Sequence, residues 1–171
     1  MSVFRIKGGK KLKGEIIPQG AKNEALQILS ATLLSAEPIT IHNIPNIVDV
    51  NKLIELIGDL GCKVEKVGTE SYRFTAANVN TKFLETDEYR KKAAALRGSV
   101  MLLGPILARY GKASMPKPGG DKIGRRRLDT HFLGFQKDRT KFQVRIGVSP
   151  GLGRQLDFLG QPGKNLPALL V

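Results

Sequence analysis

Gly20-Ala21-Lys22-Asn23-Glu24 runs directly into Ala25, Leu26, Ile28, Leu29, Leu33 and Leu34, and this stretch decides the fold. Its apolar positions are crowded enough to predict a largely buried helix, which should stop near Ser35 with Pro38 beyond it. Upstream, Val3 to Ile6 and Leu12 to Ile17 flank Gly8-Gly9 and close on Pro18, the pattern of two strands joined by a glycine turn. Downstream, Ile39-Thr40-Ile41 reads as a short strand. Asp49 to Gly61 reads as a second helix, with Val50, Leu53, Ile54, Ile57 and Leu60 at helical spacing and Gly61 where a C-terminal cap is wanted. Cys62 to Val67 and Ser71 to Ala76 then form a strand pair turning at Gly68. The unit runs β, α, β, α, β, β, and helices alternating with strands predict an α/β domain.

Further along, a polar connector from Asn78 to Glu88 precedes a long helix from Ala93 to Tyr110, which Pro105 should kink and Gly111 should end. Lys112 to Met115 reads as a short strand. It leads into the basic loop Pro118-Gly119-Gly120-Asp121-Lys122-Ile123-Gly124-Arg125-Arg126-Arg127, and a last helix begins near Asp129 and runs to about Lys137. From Asp138 the character changes: five glycines and three prolines leave little periodicity, so no element is predicted there. The chain is accordingly divided into a structured part, 1–137, and an atypical tail, 138–171, frame-shifted or disordered.

At 171 residues and 41% apolar, the chain can build one ordinary domain with a core. It contains no apolar run of the roughly 18 residues a membrane helix needs, and the lysine-studded start lacks the apolar core of a signal peptide. A cytoplasmic address is expected. Cys62 is the single cysteine, which rules out an internal disulfide, and no Cys or His stands near it at metal-ligand spacing. A net charge of +13 points to anionic partners. Nucleic acid is disfavoured, because only 6% of residues are aromatic and none is Trp, leaving few stacking platforms. Small phosphorylated ligands fit the charge equally well.

Lys22 and Asn23 fall at a predicted strand-to-helix junction, where backbone N–H groups and the helix dipole favour a phosphate or carboxylate. A cap at Asn23 beside a solvated Lys22 is the alternative. Arg97 lies in an apolar stretch, where a long cation either snorkels to water or meets an anion, and Gly98 beside it permits close approach. The loop from Pro118 to Arg127 gathers four cations around one carboxylate, suited to closing over a phosphate, to contacting nucleic acid or simply to solvation. It lacks the Gly-Lys-Ser/Thr ending of a Walker A loop. His42 and Cys62 read as structural, while His131 remains open between structural and functional roles. No Ser-His-Asp order suggests a hydrolase.

Together, Gly20 to Leu26, Leu96-Arg97-Gly98-Ser99-Val100, Leu103 to Gly111 and Pro118 to Gly124 resemble the enolpyruvyl transferases that begin peptidoglycan synthesis, and the match runs from about Phe4 to Lys137. The resemblance implies an inside-out α/β barrel built of β-α-β-α-β-β units. It implies transfer of an enolpyruvyl group from phosphoenolpyruvate to the 3′-hydroxyl of UDP-N-acetylglucosamine, with phosphate released and no cofactor or metal. By motif match, Lys22 and Asn23 take the family's phosphoenolpyruvate contacts and Arg97 a nucleotide-sugar contact. Arg126, Arg127, Leu128, Asp129 and Thr130 take the segment that binds the nucleotide sugar, although Arg127-Leu128 replaces the usual Pro-hydrophobic step.

Asp121 stands where the family most often carries the cysteine that protonates the methylene carbon of phosphoenolpyruvate. A free Asp near pKa 3.9 is protonated only about one part in a thousand at neutral pH, so closure over substrate must raise it. Fosfomycin alkylates the family's cysteine. A carboxylate is a much weaker nucleophile than a thiolate, which predicts resistance. The chain is too short for the whole enzyme. The base and several arginines of the family belong to the missing second half, so little activity is expected of this polypeptide alone.

Overall fold

The computed structural model describes residues 3–116, Leu128, and the backbone of two strands, 143–149 and 153–159. Helix α1 spans Lys22–Ala31 and tightens into a 3-10 turn at Thr32–Leu34, ending where its apolar pattern ends. Strand β1 (Ile39–Ile41) leads to helix α2 (Val48–Asp59), and strands β2 (Lys63–Gly68) and β3 (Ser71–Thr75) come next as a hairpin. The three strands form an antiparallel sheet in the order β1-β3-β2, with Ile39 opposite Phe74 and Phe74 opposite Val64. That register places apolar side chains together on the face that covers the helices. Gly61 closes α2 at φ 91°, and a Cβ there would press within 2.6 Å of the Asn78 carbonyl oxygen, so only glycine fits.

The core lies between these two helices and the chain from Leu102 to Leu107. Leu29, Leu33, Leu53 and Ile57 from the α1 and α2 segments meet Leu102 and Ile106, all fully buried. Burial of side chains of this size stabilises by about 1.5–3 kcal/mol each before chain entropy is counted.

The long helix expected from Ala93 to Tyr110 is instead three pieces. Helix α3 (Asp87–Ala94) starts inside the expected connector, a 3-10 turn covers Arg97–Leu102, and helix α4 (Leu103–Tyr110) completes the run. Capping outweighs apolar periodicity here. The Thr86 hydroxyl accepts from the Tyr89 amide at 3.2 Å, Asp87 and Glu88 occupy the first turn, and Lys91 and Lys92 the last. The break falls at Leu96, in an extended conformation, rather than at Pro105. Pro105 sits in the first turn of α4, where a missing N–H costs nothing. Lys92 ties α3 to α2 through Asp59 at 2.6 Å and Glu55 at 2.9 Å.

The strands expected at Val3 to Ile6 and Leu12 to Ile17 are not formed. Phe4, Leu12 and Ile16 are each at least 91% exposed. Alternating apolar residues specify which face a strand would bury, but a strand also needs a hydrogen-bonding partner, and none of the described residues supplies one. The observed order therefore opens on a helix: α, β, α, β, β. Strand β4 (Lys112–Pro116) extends the expected Lys112 to Met115 by one residue, and it pairs antiparallel with β6 (Gly153–Leu159), which pairs with β5 (Gln143–Ser149). Both β5 and β6 lie where no element is predicted from periodicity. The expected helix, 129–137, and the loop, 118–127, lie outside the described residues.

Candidate functional site at the start of helix α1

Lys22 is the first residue of α1 and Asn23 the second, both exposed. Ala21 holds the N-cap position and offers no side-chain hydrogen bond, so the alternative in which Asn23 caps the helix is not realised. The first-turn N–H groups of a helix have no intrahelical acceptors, and here the N-cap residue has no side-chain acceptor to offer them. A lysine at this end opposes the macrodipole, which normally favours acids by about 0.3–1 kcal/mol. Its ammonium is ion-paired with the Asp49 carboxylate in the first turn of α2, whose own N-cap, Ile47, is likewise without a side-chain bond. The ion pair thus links the first turns of the two helices.

The approach of the two helices is fixed by Gly20. A Cβ on this residue would overlap the Asn43 carbonyl oxygen and press on Pro45 Cδ at 3.1 Å, so the segment leading into α1 lies directly on the segment leading into α2. Asn43 supports the contact with a left-handed φ of 57°, which asparagine tolerates better than most residues.

Arg97 opens the 3-10 turn after the break at Leu96 and is half-buried. The turn is held from within. Ser99 Oγ reaches the carbonyl oxygens of Ala93 at 2.8 Å and Leu96 at 2.7 Å, taking up acceptors that the interrupted helix leaves behind. It is held from outside by Gly98, where a Cβ would come within 3.0 Å of Leu26 Cδ1 on α1. Arg97 therefore stands on an element packed against the helix that Lys22 begins. Of the remaining expected site residues, Leu128 is described and half-buried, and Asp121, Arg126, Arg127, Asp129 and Thr130 lie outside the described residues.

His42 and Cys62 occupy structural settings. His42 Nδ1 is 2.9 Å from Ser71 Oγ at the edge of the sheet. Cys62 is buried, and that burial pushes its thiol pKa up despite a backbone hydrogen bond from Thr75 and the charge of Arg109, which makes it a poor nucleophile at neutral pH. His131 lies outside the described residues. Asp49 was not legible as a site residue, since an acid in the first turn of a helix is ordinary capping chemistry; nor was the clamp of Gly20 on Asn43, which depends on tertiary approach.

The arrangement of α1, α2 and the flanking sheet belongs to the enolpyruvyl transferase fold. Enolpyruvyl transferase NikO from Streptomyces tendae superimposes with a TM-score of 0.61 at 21% identity, over 90% of this chain and 31% of that one. The family model for EPSP synthase (3-phosphoshikimate 1-carboxyvinyltransferase) matches residues 6–152, and the chain belongs to that family. A UDP-N-acetylglucosamine 1-carboxyvinyltransferase of Bacteroides fragilis is 62% identical over 136 residues, 80% of this chain and 31% of that protein. The enzyme of the same name from Bradyrhizobium diazoefficiens is 37% identical over 167 residues, 93% of this chain and 37% of the relative. The chain thus spans about a third of the length of the curated relatives it matches. No helix among the described residues is long and apolar enough to cross a membrane.

Proposed function

We propose that this chain is the part of a cytoplasmic bacterial enolpyruvyl transferase that presents the cationic face to two phosphorylated substrates, phosphoenolpyruvate and UDP-N-acetylglucosamine. The reaction moves the enolpyruvyl group to the sugar 3′-hydroxyl and releases phosphate, beginning peptidoglycan synthesis. The observation that carries the reading is the placement of Lys22 at the uncapped start of α1, with Arg97 on the turn packed against the same helix. In this reading Lys22 and Asn23 hold the phosphate of phosphoenolpyruvate, Arg97 the nucleotide sugar, and Arg126 to Thr130 the remainder of that ligand. Asp121 donates the proton to the methylene carbon. Identity of 62% to a relative named for the nucleotide-sugar reaction favours it over the shikimate-phosphate reaction.

In this reading residues 1–137 carry the face, and the relatives carry further sequence beyond the part that this chain matches. Titration of UDP-N-acetylglucosamine, shikimate 3-phosphate and duplex DNA, each at two salt concentrations, tests the assignment. Saturable binding of the nucleotide sugar at both salts supports it; preference for DNA with steep loss at high salt replaces it with a nucleic-acid module.

A further inference from the structure

We propose that Asp49 is a positioning residue for Lys22: its carboxylate holds the ammonium at the joined N-termini of α1 and α2 and yields it to an incoming phosphate. The inference rests on the reading of Lys22 as a phosphate contact. Three observations lead to it. Lys22 and Asp49 are ion-paired across two helices whose lead-in segments are locked together at Gly20 and Asn43, so the backbone separation of the pair is set by packing. Lysine carries four rotatable side-chain bonds, so where its ammonium rests depends on the partner that holds it. The side chains are 43% and 37% exposed, so the pair is screened by water and open to exchange with a ligand rather than sealed in the core.

The chemistry has a direction. A phosphate brings greater charge than a carboxylate and can also accept from the first-turn N–H groups of α1, which Asp49, itself anchored on α2, does not replace. The ammonium is thus kept within reach of the ligand position, with its charge compensated until the ligand arrives. Asp49 completes the site without touching the reacting atoms.

Competitive acylation of lysines by an acetyl N-hydroxysuccinimide ester, read by peptide mass spectrometry on the full chain, tests the pairing directly. Lys112, ion-paired with Glu85, serves as the internal reference. In Asp49→Asn the Lys22 rate should rise roughly two- to fivefold over wild type, the range an exposed ion pair supports. Asp49→Glu should restore most of the protection, and added phosphoenolpyruvate should slow Lys22 labelling in all three proteins. An unchanged Lys22 rate in Asp49→Asn overturns the inference whatever phosphoenolpyruvate does, as does a rise shared equally by Lys112, which marks general loosening. A selective rise without protection by phosphoenolpyruvate leaves the pairing intact and overturns the phosphate reading on which its role depends.

Discussion

Gly98 packs against the side chain of Leu26, so closely that a Cβ would lie 3.0 Å from Leu26 Cδ1 and fit only if the leucine gave way slightly. This contact, more than any charge, puts Arg97 beside the helix that begins with Lys22. Gly98→Val should force Leu26, which is only 6% exposed, out of its seat, at about 1–3 kcal/mol of stability. Urea unfolding reads the loss, and the same variant should bind UDP-N-acetylglucosamine more weakly as Arg97 is displaced. Gly98→Ala should cost less, because the Leu26 methyls can give by a few tenths of an ångström.

Arg109 is a structural cation. Its Nη1 lies 3.0 Å from the Leu33 carbonyl oxygen, 3.2 Å from that of Ser35 and 2.7 Å from that of Ala76, joining α4 to the end of the α1 segment and to the strand hairpin. Arg109→Met should lower stability by about 3 kcal/mol, because half-buried acceptors lose a charged donor. Arg109→Lys should recover only part of it, since an ammonium lacks the planar fork. Chemical denaturation of the three proteins settles the ranking.

Tyr89 makes stability fall at alkaline pH. Its phenol is buried, donates to the Ser114 carbonyl oxygen at 3.0 Å, and has its pKa pushed well above the ordinary value by burial. The unfolded phenol ionises near pH 10, whereas the folded one stays neutral. Its contribution is therefore complete below about pH 10 and is lost as pH rises toward the folded value. Tyr89→Phe should be less stable than wild type by about 1 kcal/mol at neutral pH, with the gap narrowing above pH 10. Lys92, whose pKa is raised chiefly by its hydrogen bond to Asp59, declines in the same direction, so the Phe variant retains some alkaline loss. Thermal unfolding from pH 7 to 11 measures both.

Much of the fold could be read from residue pattern. The helices at Lys22 and Val48 and the hairpin of β2 and β3 arise directly from helical spacing, turn glycines and the αL cap at Gly61. Where pattern misled, a second force was at work. Thr86 and the charges around it set α3 against the apolar run, and the strands expected before Pro18 lack a partner among the described residues. Strands β5 and β6 pair with each other close in sequence, but their glycines blur the alternation, and the pairing of β6 with β4 is long-range. The residue types of Lys22, Asn23 and Arg97 were visible in sequence. The packing of the Arg97 turn against α1 was not, since a glycine reports its packing partner only in three dimensions.

The proposed role of Asp121 as proton donor makes a chemical prediction independent of turnover. Fosfomycin incubated with the chain should leave no covalent adduct at Asp121 by intact-mass and peptide mass spectrometry, because a carboxylate opens an epoxide far more slowly than a thiolate. An adduct at Asp121 under conditions that label a cysteine enzyme would contradict it.

The central claim is that one end of α1 and the Arg97 turn form a single anion-binding face. Amide chemical-shift mapping of the labelled chain during titration with phosphoenolpyruvate and then UDP-N-acetylglucosamine tests it most directly. Saturable shifts concentrated at residues 20–24 and 96–99, abolished in Lys22→Ala for the first ligand and in Arg97→Ala for the second, are the predicted result. Shifts scattered over the lysine-rich segment before Pro18, or unchanged by both substitutions, would show that the charge of this chain binds anions without a site.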